Sequence, residues 1–581
     1  MNKQHNIPGK GKSNLFEVLK PYKGMIIFLI FFALLSNSAN LLIPKIISNG
    51  IDAYGKGHFA MKSIIMEFSL VALFIFLFTY LQSVVQTYTS ERVARDMRTK
   101  LSAKISRQSF AFIQQTNPSR LLTNLTSDID SVKLFVSQAI VSMVSSLFII
   151  IGASILLLTI NWRLALPVIA IIPIIGGTFA IVLLKVRVLF MKSREVIDWL
   201  NKVINESILG SAIIRVLNSQ QLEYNKFLDA NSKAKSLGLS ILNLFATLIP
   251  IITFVANMAA LTILALGGHF VLTGSMTLGN FAAFNSYLSI LIFPIIVIGF
   301  MSNIIVHASA SYERIMEVLQ APETIATGTV KATLRGDIEL KNVNVLYDDK
   351  PALKDISFSI KAGTNTAIIG PTAAGKSQLL YLLTSLIRPN SGTVEFDESM
   401  IDDYEKESFH SQVGFVFQDS IIFNMSLREN IAFSNTVTDE SLEKAIATAE
   451  LRDFIDSLPQ KLDTVVSERG SSLSGGQKQR IMLARALAIN PKILLLDDFT
   501  ARVDRQTEQK IFCNLQNNYP DLTLVSVTQK IAPVKHFEKI ILLMEGEVIA
   551  QGTHKELKES CPEYIQIYNS QRSTSHYELQ S

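Results

Sequence analysis

Only two cysteines, Cys513 and Cys561, and two tryptophans occur in 581 residues. So few cysteines exclude a disulfide-dense scaffold, and no Cys/His cluster has metal-ligand spacing. Charge is scarce as well: Asp, Glu, Lys and Arg make up 18% of the chain against 49% hydrophobic residues. Mean hydropathy is +0.31, too apolar for an ordinary soluble enzyme. The formal net charge of +5 is not gathered into a basic patch interleaved with aromatics, so nothing calls for a nucleic-acid partner.

The apolar excess lies almost wholly before residue 310. Long apolar stretches occupy Met25–Ile43, Ile64–Val85, Ala139–Ile160, Leu164–Val188, Leu244–Leu266 and Phe281–Ile305. Each has the roughly 20 residues that carry a helix across about 30 Å of hydrocarbon. Pro167, Pro173, Pro250 and Pro294 interrupt some of them, which membrane helices tolerate when neighbours re-satisfy the backbone. Six such stretches in one half of a chain predict a lipid-embedded bundle rather than buried helices of a soluble core.

Charge placement orients that bundle. Lys10, Lys12, Lys20 and Lys23 precede the first stretch. Arg92, Arg95, Arg98, Lys100, Lys104 and Arg107 follow the second, and Lys192, Arg194, Lys202, Arg215, Lys226, Lys233 and Lys235 follow the fourth. The connection between the third and fourth has only Arg163, and Gly268–Leu278 has no Lys or Arg. Positive flanks favour the cytoplasmic side, so both termini and two large loops are expected inside. Met25–Ile43 reads as a retained span, since no small-residue cleavage site follows it.

From about Gly336 the texture changes to alternating strands and helices. Ile338–Val345 and Ile356–Ile360 alternate apolar with polar, as half-buried strands do. Ala367–Gly370 is a short buried strand, and Lys376–Leu386 is expected to be a helix. Between them lies Gly370-Pro371-Thr372-Ala373-Ala374-Gly375-Lys376-Ser377. This is a phosphate-binding loop: backbone N–H groups wrap an anion, Lys376 reaches the β/γ phosphates, and Ser377 can ligate Mg²⁺. Leu473-Ser474-Gly475-Gly476-Gln477 follows about a hundred residues later, and Ile493–Leu496 form an apolar strand ending in the carboxylate of Asp497.

Phosphate loop and Leu-Ser-Gly-Gly-Gln, in this order and at this distance, resemble the signature of ATP-binding-cassette (ABC) proteins. Six spans with two long cytoplasmic loops before one cassette resemble a half-transporter of the ABC exporter type. The resemblance implies a multidomain chain: an all-α transmembrane domain at 1–319, a linker at 320–335, and an α/β nucleotide-binding domain at 336–581. It implies that ATP and Mg²⁺ are bound, with Tyr347 stacking on adenine and Gly370–Ser377 holding the phosphates. Ser377, Gln418 and Asp497 would attend the metal, and Ser467-Glu468-Arg469-Gly470 resembles an exporter element contacting the intracellular loops. Short transverse helices are expected near Phe112–Pro118 and Leu209–Val216, with Glu206, Gly210 and Arg215 similar to the second loop's usual pattern.

Departures from the pattern fall where the chemistry is finished. Family members that hydrolyse ATP well carry Glu where this chain has Asp498, which is one methylene and roughly 1.3–1.5 Å shorter. Gln529 stands where the family has a histidine bridging to the γ-phosphate; it can donate a hydrogen bond but cannot become cationic. Ala501-Arg502-Val503-Asp504 replaces the usual Ser-Ala-Leu-Asp, and Ala373 replaces a glycine. Two cassettes pair head to tail in this family, each nucleotide lying between one phosphate loop and the other chain's signature. The resemblance therefore implies a second half-transporter as partner. The pattern favours a heterodimer in which this chain keeps the impaired site and lends Ser474, Gly475, Gly476 and Gln477 to a competent one. It is similar to the heterodimeric bacterial multidrug exporters with one degenerate site.

The expected location is a plasma (inner) membrane, with the cassette cytoplasmic. Cargo is the least legible feature. Glu67 is the one clear ionisable residue in a span, expected near the outer interface. Asn257, Asn285, Ser286 and Tyr287 either line an apolar cavity or hydrogen-bond between helices. That texture suits a hydrophobic or amphipathic cargo. A homodimeric exporter of lipid, peptide or drug with slow turnover, and an ATP-gated channel or regulator, remain open; a soluble ATPase does not.

Overall fold

The computed structural model describes residues 14–57, 61–323, 328–347, 350–467 and 470–578. It divides into two units: Met1–Ser106 with Asn117–Ala321, and Arg107–Thr116 with Pro322–Ser581.

Six helical rods long and apolar enough to cross a membrane build the first unit: Leu15–Gly55, Met61–Ser106, Pro118–Ile160, Trp162–Leu209, Gln220–Leu272 and Leu278–Leu319. They run 41 to 53 residues, about 60–80 Å at 1.5 Å per residue, twice what hydrocarbon needs. The apolar runs therefore marked only the middle of each rod. Their charged continuations, which read as connections in the sequence, are helix. Proline acts where its geometry bites. The fourth rod breaks at Ala170, beside the carbonyl four residues before Pro173 that its ring would crowd, whereas the helices run on through Pro44, Pro250 and Pro294. Single π-helical turns interrupt the rods at Asn124–Asp128, Phe135–Ala139 and Ile263–Gly267.

Ion pairs tie the polar ends together. Arg314 grips Asp128 with two nitrogens, Nε lying 3.0 Å from Oδ2, and Asp128 is buried. Arg120 pairs with Glu317 at 2.6 Å. Tyr287 is buried and its hydroxyl donates to the Leu41 carbonyl at 3.0 Å, so of the two roles expected for it the structure adopts the interhelical bond. Asn257 and Asn285 are exposed, as is Glu67.

The second unit is α/β. Its strands are β1 Ile338–Tyr347, β2 Lys350–Ile360, β3 Asn365–Ile369, β4 Ser391–Phe396, β5 Ser399–Met400, β6 Val413–Val416, β7 Ile493–Asp497, β8 Thr523–Thr528, β9 Lys539–Met544 and β10 Glu547–Gly552. One sheet has the order β2-β1-β4-β5 and is antiparallel; the other has β10-β9-β3-β8-β7-β6, parallel except for the β9–β10 hairpin. Successive strand residues point to opposite faces. Ile369, Leu494, Leu496 and Leu524 thus join one core, while Ile368, Ile493, Leu495 and Val525 join the other. Burial on both faces explains why β7 reads Ile-Leu-Leu-Leu without alternation.

The helix after the phosphate loop is Lys376–Leu383, one turn shorter than its sequence suggests. Thr384 Oγ1 bonds back to the Leu380 and Tyr381 carbonyls, and Ser385 turns left-handed at φ +55°. The short helix Phe110–Thr116, N-capped by Ser109, groups with this second unit. Phe110 packs against the core that contains Leu379 and Leu380. Ser211–Val216 forms the corresponding short helix of the second loop.

Candidate functional site

β3 ends at Ile369 and the chain turns at once into Gly370. A side chain there would collide with the Leu543 carbonyl, so only glycine lets the loop leave the sheet edge. Gly375, at φ +94°, reverses the chain into the helix, and a Cβ would sit 2.7 Å from the Ala352 carbonyl. Between them Ala373 adopts φ +64°. Holding that conformation costs an L-residue with a methyl about 1–2 kcal/mol.

Lys376 is nearly buried. Its ammonium donates to the carbonyls of Gly370 at 2.9 Å and Pro371 at 2.7 Å, folding back over its own loop. Burial pushes its pKa below the ordinary lysine value, and the carboxylates of Asp498 and Asp497 pull it partly back. Asp497, the last residue of β7, is buried. Burial raises its carboxyl above the usual range, a hydrogen bond from Ser377 opposes that, and Asp498 raises it further. Its Oδ2 is buried without a hydrogen-bond partner.

One cavity of about 480 Å³ joins these groups, lined by Thr372, Ala373, Ala374, Gly375, Lys376, Ser377, Gln418, Asp497, Asp498 and Gln529. Asp498 sits at φ +45°, its N–H bonded to the Val527 carbonyl at 2.9 Å. Aspartate tolerates that left-handed backbone better than most residues. Gln529 follows directly on β8. Gly370 and Pro371 do not line the cavity; they contribute the carbonyls that hold Lys376. Tyr347 closes β1, and its side chain, like Glu468 and Arg469, lies outside the described residues.

Ser474, Gly475, Gly476 and Gln477 do not line this cavity. They open the helix Gly475–Ala488, where Ser474 and Gln477 form a reciprocal capping box. Two glycines in the first turn leave backbone N–H groups bare, the arrangement that receives an anion at a helix N-terminus. A Cβ on Gly476 would meet the Arg502 carbonyl at 2.9 Å. Farther along the helix, Gln479 donates to the Gln418 carbonyl at 3.2 Å.

Sequence reasoning missed the floor of the cavity. Pro351, Ala352, Glu545 and Gly546 line it too. Glu545 and Gly546, at φ +49° and +82°, make the two-residue β9–β10 turn, and Gly546 N donates to the Ala374 carbonyl at 3.2 Å. A Glu-Gly pair between two apolar runs signals a hairpin, but nothing local says that the hairpin carries the phosphate loop. Among the described residues no group of three or more His, Cys, Asp or Glu could hold a metal unaided.

The family described as "ABC transporter transmembrane region" matches residues 26–295, and that described as "ABC transporter" matches residues 353–501. The uncharacterised ABC transporter ATP-binding protein YfiB of Bacillus subtilis is 33% identical over 95% of this chain and 97% of its own. The ATP-dependent lipid A-core flippase of Syntrophus aciditrophicus is 28% identical over 94% of this chain and 91% of its own. The multidrug resistance-like ATP-binding protein MdlA of Buchnera aphidicola is 29% identical, covering 95% and 96%. A solved bacterial Atm1-family ABC exporter with ATP bound superposes with a TM-score of 0.76 at 21% identity, covering 95% of this chain and 99% of that one.

Proposed function

Because the chain belongs to the ABC transporter family, as an exporter half with membrane region and cassette in one polypeptide, we propose that it couples ATP to export of a hydrophobic or amphipathic cargo across a plasma membrane, as the degenerate-site half of a heterodimer. The observation that carries this reading is the common cavity of Lys376, Ser377, Gln418, Asp497, Asp498 and Gln529. Groups suited to holding a nucleotide triphosphate meet there with two altered residues at the reacting end.

The unpartnered, buried Oδ2 of Asp497 fits a cation ligand, with the Ser377 hydroxyl beside it. When bound, Mg²⁺ supplies neutralisation of β- and γ-phosphate charge. Lys376 leaves its two loop carbonyls to pair with phosphate oxygens, exchanging neutral acceptors for charged ones. Gln418 orients water and metal, and Asp498 and Gln529 address the attacking water and the γ-phosphate. Asp498 reaches less far than glutamate, and Gln529 brings no cationic charge. Binding is retained and chemistry is slowed.

Ser474, Gly475 and Gly476, off this cavity at the start of their own helix, serve the nucleotide of the second half-transporter. A partner with Glu and His at the positions of Asp498 and Gln529 makes one competent site. Both termini and the cassette are cytoplasmic on the charge distribution.

The test is ATP turnover of the full chain in nanodiscs, alone and with a candidate partner half. MgATP binding with scarcely measurable turnover alone, and cargo transport once paired, is the expected result. Turnover alone at about 10 per second, near the enzyme median, overturns the impaired-site reading. ATP-dependent conductance without cargo accumulation would favour a channel instead.

A further inference from the structure

β8 ends at Thr528, and the chain passes through Gln529 and Lys530 to a single 3-10 turn at Ala532–Val534. The backbone of this stretch is held by a distant side chain. Gln571 Nε2 donates to the Gln529 carbonyl at 2.6 Å, and Gln571 Oε1 accepts from the Ile531 N–H at 2.9 Å. One amide thus brackets the segment that carries Gln529 into the cavity. Glutamine suits the task because its side chain both donates and accepts.

Gln571 belongs to the helix Pro562–Glu578, which is itself well anchored. Tyr564 on that helix is fully buried, with its hydroxyl 2.7 Å from His554 Nδ1. Ile567 and Tyr568 pack on the same core. The spacing 564, 567, 568, 571 puts all four on one helix face. The face that seats the helix is therefore the face that presents Gln571.

We propose that Gln571 is a positioning residue for Gln529, which makes the C-terminal helix part of the nucleotide site without lining it. The inference rests on the reading of Gln529 as a phosphate contact. Bracketing a residue on both sides fixes where its side chain reaches, and an error of about 1 Å at a reacting group costs on the order of 100-fold. Gln571→Leu removes both bonds. Gln571→Glu keeps the acceptor for Ile531 and sets a carboxylate against the Gln529 carbonyl.

The experiment has two arms, both on the full chain in nanodiscs. In hydrogen–deuterium exchange, Gln571→Leu should speed exchange across residues 528–533 by about fivefold or more, while exchange in 562–570 stays unchanged. In single-turnover ATP hydrolysis with protein in excess, Gln571→Leu should lower the rate roughly three- to tenfold with ATP affinity within about twofold, Gln571→Glu falling between. The same change in a Gln529→Ala background should then have no further effect. Equal losses in both backgrounds, or faster exchange along the whole C-terminal helix, would mean a merely structural role and overturn the proposal. Unchanged exchange at 528–533 with a Gln529→Ala chain that is itself impaired sinks Gln571 alone. A silent Gln529→Ala removes the phosphate-contact reading, and the positioning role falls with it.

Discussion

Phe110 stands edge-on to Tyr381, ring centroids 5.3 Å apart at 64°. Tyr381 lies on the helix that Lys376 opens, and it also meets Phe415 and Phe417, the latter adjacent to Gln418. An aromatic from the first long loop is therefore set among the elements that carry the phosphate loop and Gln418. An edge-on pair adds about 0.5–1.5 kcal/mol beyond area burial. Phe110→Ala is expected to leave ATP affinity within about twofold and to lower transport per ATP about fivefold, the equivalent of roughly 1 kcal/mol. Parallel measurement of nucleotide binding and cargo flux in proteoliposomes checks it; loss of binding itself would show that the ring only supports the cassette.

Restoring Asp498→Glu with Gln529→His should raise single-turnover hydrolysis at this chain's own site, each change supplying a transition-state contact of at most about 3–4 kcal/mol. On the proposed reading the two address one phosphate and one water, so their effects should be non-additive. The left-handed backbone at 498 adds a cost: glutamate accepts φ > 0 less readily than aspartate. Asp498→Glu alone should lower the thermal midpoint of the cassette while raising the rate. An unchanged rate in the double variant would turn attention to Ala501–Asp504.

Gly476→Asp in the assembled dimer places a carboxylate at the bare helix N-terminus, where the partner's γ-phosphate is expected. Most turnover and transport should be lost. Asp498→Ala should be milder if, as proposed, that site is the slow one. Both variants belong in one reconstituted complex; equal severity would defeat the asymmetric assignment.

Ala373→Gly should stabilise the nucleotide-free cassette by roughly 0.5–1 kcal/mol, the left-handed cost of alanine less the chain entropy of glycine. Thermal unfolding of wild type and variant, each without nucleotide, reads the difference. A lower midpoint for the variant would show that φ +64° carries no strain worth relieving.

The raised carboxyl of Asp497 has a definite sign. A group whose folded pKa lies above its unfolded value contributes stability below the unfolded value and loses it as pH rises through the folded one. At neutral pH the carboxyl of Asp497 is therefore a net burden on the nucleotide-free protein. Asp497→Asn should raise the thermal midpoint at pH 7 without nucleotide, with the gap closing toward about pH 4, the ordinary carboxyl value. The same variant should lose the Mg²⁺-dependent part of ATP binding. A gap that persists unchanged in acid would point to packing rather than charge.

The spans were legible because lipid leaves no choice: about 20 apolar residues in a row have few other uses. Their polar continuations were not, since Arg92–Lys104 sits on a helix whose stability comes from neighbours such as Asp130, paired with Arg98 at 2.6 Å. The phosphate loop could be read because Gly370 and Gly375 are demanded by backbone that no other residue fits. Nothing in the letters Ala373 or Asp498 announces a positive φ, which comes from the turn around them. Gln571 was invisible for another reason: its partners lie 40 and 42 residues away, and no local pattern links a glutamine to a loop.

Rods about twice as long as the hydrocarbon layer is thick have a mechanical corollary. The fifth runs 53 residues, about 80 Å, so a tilt of about 5° at one end sweeps the other by roughly 7 Å. Motions comparable to a single side chain are thereby amplified to the width of a small solute. The π-helical turn at Ile263–Gly267, near the end of that rod, is where such a lever would flex first, since its backbone bonds are already out of the regular ladder.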